Sequence, residues 1–142
     1  FEDMATASNM RDIEQGRGVI CDDFDADGDV DVLLLTLDDQ QAAMLWTNQL
    51  TDGNTLSVRL DGTPPNTFGV GATISASIGG DTQTRLVGIN SNFVSHNSTW
   101  QYFGFGDSTL IETLRVAWPD GEVTEMNDIA VDQALTIRHP DL

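Results

Sequence analysis

Val70-Gly71-Ala72-Thr73-Ile74-Ser75-Ala76-Ser77-Ile78-Gly79-Gly80-Asp81 places an apolar residue at every second position from Val70 to Ile78 and then breaks at a Gly-Gly pair. Alternation with period two sends successive side chains to opposite faces, so the run is a strand with one face in a core and the other in water. A Gly-Gly pair supplies the positive backbone angles of a tight connector, so Thr82 to Ile89 returns as an antiparallel hairpin anchored by Leu86 and Val87. The same signature recurs on both sides. Leu56, Val58 and Leu60 alternate upstream; Trp100 to Phe105, then Leu114, Val116 and Trp118, then Val123 to Met126, then Leu135 and Ile137 follow downstream, with Pro119-Asp120-Gly121 as a hairpin turn. This density of short strands predicts an all-β chain whose main body is an antiparallel β-sandwich or a barrel-like domain.

Upstream of Leu56 the pattern changes. Val19 to Cys21 is a short apolar run, Asp22 to Asp31 is dense in aspartate, and Val32-Leu33-Leu34-Leu35-Thr36-Leu37 is expected to form a buried strand. Asp38-Asp39 turns the chain and Ala42 to Asn48 is a further short strand. Turn formers crowd at Thr51-Asp52-Gly53-Asn54, which sets a boundary between residues 1–53 and residues 54–142. Met4 to Glu14 carries a weak helical hint, interrupted by Gly16 and Gly18.

The 142 residues suffice for one core, and the 6 Arg against 23 acidic residues leave a formal charge of 6 − 23 = −17. That charge repels phosphate backbones and anionic head groups, so nucleic acid and bare membrane are poor partners and cations are good ones. No apolar run reaches the roughly 18 residues that a membrane helix needs, so membrane insertion is not expected. Asp supplies 18 of the 23 carboxylates and Lys is absent, a bias toward turns and oxygen-ligand loops rather than helices. Cys21 is unpaired and reads as a small buried hydrophobe rather than a nucleophile. The chain opens at Phe1 without a basic leader, so any targeting peptide is expected to have been removed or to lie on a longer precursor.

Asp23-Phe24-Asp25-Ala26-Asp27-Gly28-Asp29-Val30-Asp31 sets carboxylates at loop positions 1, 3, 5, 7 and 9 and glycine at position 6. A curling loop brings alternate side chains to one interior point, Gly28 permits the turn, and hard oxygen ligands at about 2.3–2.6 Å suit calcium better than zinc. The expected ligands are the side chains of Asp23, Asp25, Asp27 and Asp31 with the main-chain carbonyl of Asp29; water completes the shell and Asp22 lies outside it. A helix-loop-helix calcium hand needs a bidentate Glu at position 12, which here is Leu34 inside an aliphatic strand, so the loop is flanked by strands. Empty, such a cluster repels itself and raises some of its own pKa values, so the loop without metal is expected to be disordered or distorted and to be ordered by binding.

Gly16-Arg17-Gly18-Val19 followed by the aspartate loop and an apolar strand resembles the FG-GAP/VCBS repeat, the calcium-loop blade unit of integrin-type β-propellers. Residues 54–142 resemble the ASPIC/UnbV domain of the cartilage acidic protein family and many bacterial secreted proteins. The likeness is carried by Leu56-Ser57-Val58-Arg59-Leu60-Asp61-Gly62, Gly69-Val70-Gly71-Ala72, Phe103-Gly104-Phe105-Gly106-Asp107 and Val116-Ala117-Trp118-Pro119-Asp120-Gly121. The resemblance implies a C-terminal piece of a longer secreted, periplasmic or cell-surface protein. It also implies a calcium-dependent, non-enzymatic module for adhesion or assembly, with a protein or glycan partner.

Other candidates are weaker. Ser95 and His96 are adjacent on an extended segment and point to opposite faces, and no Gly-x-Ser-x-Gly elbow is present, so hydrolase chemistry is disfavoured. His139, near the terminus, is expected to be solvated. Trp118 keeps phase with Leu114 and Val116 and belongs in the core, whereas Trp100 is the ring best placed for exposure; a sugar platform built on it is the alternative function, an accessory carbohydrate-binding module of a secreted enzyme. Asn97-Ser98-Thr99 has glycosylation spacing, a pattern frequent by chance. Gly69-x-Gly71 has no helix after it for a dinucleotide loop and is expected to permit a strand bulge.

Overall fold

The computed structural model describes residues 2–10, 15–37, 43–49, 53–88, 93 and 95–142. Among the described residues ten strands run in chain order: β1 Gly16–Asp22, β2 Asp31–Thr36, β3 Ala43–Trp46, β4 Thr55–Asp61, β5 Thr73–Ile78, β6 Asp81–Leu86, β7 Gln101–Gly104, β8 Leu110–Ala117, β9 Val123–Ala130 and β10 Gln133–Arg138. No helix occurs among the described residues, so the chain is all-β. The strands form three open sheets, in the orders β1-β2-β3, β10-β4-β7 and β6-β5-β8-β9. The second and third enclose one core, which makes the main body a sandwich and not a barrel.

The alternation that defines the strands also builds that core. Leu56, Val58 and Leu60 of β4, Phe103 of β7 and Ile137 of β10 point inward from one sheet; Ile74 and Ala76 of β5 and Ile111, Leu114 and Val116 of β8 point inward from the other. Each large side chain buried this way contributes about 1.5–3 kcal/mol. The Gly79-Gly80 hairpin forms as expected: Ile78 pairs with Asp81 across it, and φ of 57° and 88° at the two glycines matches the twist of the flanking strands.

One pairing departs from the antiparallel expectation. β10 runs parallel to β4, Gln133 opposite Leu56 through Arg138 opposite Asp61, because the chain crosses the whole sandwich between the two strands. Hydrophobic alternation reports which face is buried and is silent about which distant strand lies alongside. β8 begins at Leu110 and β9 runs to Ala130, both longer than the alternation alone indicates. Gly69 and Gly71 shape the turns before β5, with φ of 62° and 90°, and make no bulge within a strand. A Cβ at Gly69 would stand 2.8 Å from Leu60 Cδ1 and 3.0 Å from the Trp118 ring.

The seam between the sandwich sheets is closed by side chains. Gln83 and Arg85 on edge strand β6 point inward, where Gln83 Nε2 donates to the Gly104 carbonyl (2.6 Å) and Arg85 Nε to the Tyr102 carbonyl (3.1 Å) on edge strand β7. The Arg85 guanidinium also lies 4.9 Å from the centre of the Phe103 ring. An inward charge on an edge strand additionally discourages pairing with another chain.

His139 is not solvated; it is 4% exposed. Its N–H donates to the Asp61 carbonyl, carrying the β10–β4 pairing one residue onward, and its ring meets Trp118 edge-on at 4.8 Å. Nε2 lies 2.9 Å from Asp120 Oδ2, and Nδ1 accepts the Asp141 N–H. Proximity to a terminus says little about burial when the preceding strand is paired to its end. Trp118 is 4% exposed, as its phase indicates.

The first sheet is tied to the sandwich along the outer edge of β1. Ser95 Oγ donates to the Val19 carbonyl (2.9 Å) and accepts the Val19 N–H (3.1 Å), and Asn97 Oδ1 accepts the Cys21 N–H (3.0 Å). These side chains satisfy an edge that would otherwise invite another strand. At the N-terminus, Ser8 N–H donates to the Met4 carbonyl in a single turn; the rest of the helical hint, at 11–14, lies outside the described residues, as do Asp38-Asp39, Ala42, Thr51, Asp52 and Ile89.

Candidate metal centre in the acidic loop

The aspartate loop joins the end of β1 to the start of β2, whose antiparallel pairing ends at Asp22 opposite Asp31. Two left-handed residues curl it, Ala26 with φ of 64° and Gly28 with φ of 99°. The turns are held by the aspartates themselves: Asp23 Oδ1 accepts the Asp27 N–H (3.1 Å), Asp23 Oδ2 the Gly28 N–H (3.1 Å) and Asp27 Oδ1 the Asp29 N–H (3.0 Å). Short side chains that fold back on the following backbone are the reason aspartate, and not glutamate, occupies these positions.

Of the five expected ligand residues, Asp23, Asp25 and Asp27 are brought together, each offering an oxygen within 4.8 Å of the others. Two oxygens on opposite sides of a calcium ion, each at about 2.3–2.6 Å, stand up to about 5 Å apart, so this trio fits that ion. Asp29 stands beside them, lining the cleft next to the loop. Asp31 is fully buried at the base: Oδ2 accepts the Phe24 N–H (2.9 Å) and Oδ1 the Asn48 N–H (2.7 Å). It ties the loop entry to the segment that leaves β3.

The carboxylates disfavour one another's charge. The Asp25 and Asp29 carboxyls are both raised from their ordinary value, first by desolvation and then by the charge of Asp27, with Asp31 adding to each and Asp23 to Asp29. A divalent cation among them reverses that repulsion.

Residues distant in sequence set the loop in place. Asp22 Oδ1 accepts hydrogen bonds from the hydroxyls of Tyr102 and Ser98, and the Tyr102 hydroxyl also accepts the Asp23 N–H (3.3 Å). Thr55 Oγ1, on β4, donates to the Gly28 carbonyl (3.4 Å). The loop thus leans on the outward face of the β10-β4-β7 sheet. Sequence reasoning missed these supports: period two puts Tyr102 and Thr55 on the outer face, yet nothing local indicates that a loop lies over that face.

A family model described as ASPIC and UnbV matches residues 62–142. The chain belongs to the ASPIC/UnbV family. No curated protein matches it. The match opens at Gly62, directly after β4, although β4 is the central strand of the sheet that β7 and β10 complete. The ASPIC/UnbV portion therefore supplies Tyr102 and Ser98 to the loop, which itself lies outside the match.

Tyr102 gives this contact an optical signature. Burial first, and then its hydrogen bond to Asp22, push the phenol up to about 12. Tyr102 is the sole tyrosine of the chain, so absorbance titration reports this group alone. Phenolate is expected to appear near pH 12 in the folded protein and near the ordinary value of about 10 in urea. The raised value favours the neutral phenol in the fold, so its contribution is complete below pH 10 and is lost as pH rises from about 10 to 12.

Proposed function

We propose that this ASPIC/UnbV protein is a calcium-binding, non-enzymatic module of the extracytoplasmic space, used in adhesion or assembly, in which one ion stiffens the Asp23–Asp31 loop. The observation that carries the reading is the convergence of the Asp23, Asp25 and Asp27 oxygens within 4.8 Å in a loop whose backbone is already curled by its own carboxylates. Ligands held in place before binding lose less conformational entropy when the ion arrives. The role is structural: the ion offsets the repulsion recorded at Asp25 and Asp29, while Tyr102 and Thr55 pass the loop's rigidity to the sandwich. Millimolar calcium outside the cytoplasm fills even a modest site.

The loop flanked by strands is consistent with an FG-GAP/VCBS-type repeat unit joined to the ASPIC/UnbV domain. The non-enzymatic reading is supported by the setting of Ser95 and His96: the Ser95 hydroxyl is committed to both backbone groups of Val19, and His96 is exposed.

Terbium, a luminescent surrogate for calcium, tests the site. Excited through Tyr102, whose hydroxyl touches the Asp23 backbone, bound terbium is expected to luminesce, to be displaced by calcium, and to go dark in Asp25→Asn/Asp27→Asn. Luminescence unchanged in that variant contradicts the assignment.

A further inference from the structure

The acidic loop does not lie flat on the sheet beneath it. Between the two runs a cleft of about 610 Å³, lined by Asp27 and Asp29 from the loop and by Thr55, Ser57, Asp132 and Ala134 from the sheet side. It adjoins a hollow of about 220 Å³ that shares Asp23, Ser57 and Ala134 with it and ends at Trp100 and Tyr102. Ser57 pairs across the sheet with both Tyr102 and Ala134, so the floor where the two spaces meet is a row of small side chains bounded by a ring. Trp100 is half-buried, and it also lines a third hollow of about 260 Å³. The Arg59 guanidinium lies 5.2 Å from the centre of that ring.

We propose that this cleft and the hollow it adjoins together bind a neutral oligosaccharide, with one sugar ring packed against Trp100 in the hollow and the hydroxyls of its neighbours hydrogen-bonded to Ser57 and the carboxylates lining the cleft. Four observations select the ligand class. The main cleft falls within the roughly 300–1,000 Å³ of small-molecule sites, and an aromatic end wall beside carboxylate acceptors complements a ring with apolar C–H faces and a hydroxyl rim. The formal charge of −17 disfavours acidic sugars, nucleotides and other anions. A cationic peptide is disfavoured by Arg59, which already holds the cation position at the Trp100 ring and would repel a second guanidinium or ammonium; toward a sugar the same Arg59 is a hydrogen-bond donor. The inference does not require an ion in the loop.

The test is binding of the intact chain to an array carrying neutral gluco-, manno- and galacto-configured hexasaccharides, a polygalacturonate oligomer and an octa-arginine peptide, in calcium and in chelator. A neutral hexasaccharide is expected to bind, with at least a tenfold loss in Trp100→Ala. A second variant, Ser57→Trp, fills the floor from the outward face without touching the core and is expected to abolish binding while Trp100 remains. Retention of no neutral sugar overturns the inference, as does binding indifferent to both variants or confined to polygalacturonate or octa-arginine. A calcium-induced rise in melting temperature is read on the same samples. That rise without sugar binding overturns this inference alone, and sugar binding without it supports this inference and overturns the calcium reading alone.

Discussion

Replacing Asp31 by alanine is expected to lower the unfolding free energy by about 3–5 kcal/mol. The carboxylate has no solvent exposure, and its two oxygens accept the Phe24 and Asn48 backbone N–H groups at 2.9 and 2.7 Å. Hydrogen bonds to a charged acceptor contribute about 1.5–3 kcal/mol each, and two are lost together. Asp31→Asn keeps one carbonyl acceptor but turns an amide N–H₂ toward the other donor, so its loss is expected to be smaller yet clear. Urea unfolding in chelator measures both, with exposed Asp25→Asn as the control that leaves stability within about 0.5 kcal/mol of the parent protein. A loss below about 1 kcal/mol in Asp31→Ala contradicts the role assigned to this residue.

The second large effect is that of calcium on thermal stability. At free calcium 100 times the dissociation constant, linkage stabilises the fold by about 2.7 kcal/mol. For a chain of this length each kcal/mol moves the midpoint by roughly 2–4 °C, so a rise of about 5–11 °C is expected and chelator reverses it. Protons compete for the same oxygens. Because Asp25 and Asp29 are raised in the fold, the folded state binds more protons than the unfolded chain around those values. In chelator, stability is therefore expected to increase as pH falls from 7 toward the upper carboxylate range, and calcium is expected to flatten that slope. A midpoint indifferent to calcium at pH 7, scanned calorimetrically, contradicts the structural role of the ion.

Much of the sandwich is legible in local sequence because its signals are local. Val70 to Ile78 declares an inward face by alternation, Gly79-Gly80 declares the hairpin, and Trp118 declares burial by keeping phase with Val116. The β10–β4 parallel pairing is invisible to the same reading because Gln133 and Leu56 lie far apart in sequence, with the rest of the sandwich between them. His139 shows the limit most clearly: its burial follows from that pairing and from Trp118, and neither is a neighbour in sequence. At the candidate site, the spacing of Asp23, Asp25 and Asp27 announces their convergence, since side chains two apart in a tight loop share an interior. What local sequence does not announce is the different setting of Asp31. Equal spacing treats the ninth position like the first, whereas the start of β2 buries it beneath two backbone N–H groups. Tyr102 is likewise a product of tertiary placement, brought to Asp22 by the β4–β7 pairing and by the tether from Ser95 to Val19.

The most direct measurement is a crystallographic one, on crystals grown with calcium and recorded at a wavelength where calcium scatters anomalously. The expected result is one anomalous peak inside the loop, about 2.3–2.6 Å from carboxylate oxygens of Asp23, Asp25 and Asp27. Those three carboxylates turned outward into solvent, with no such peak between them, would contradict the assignment of this loop as a metal centre.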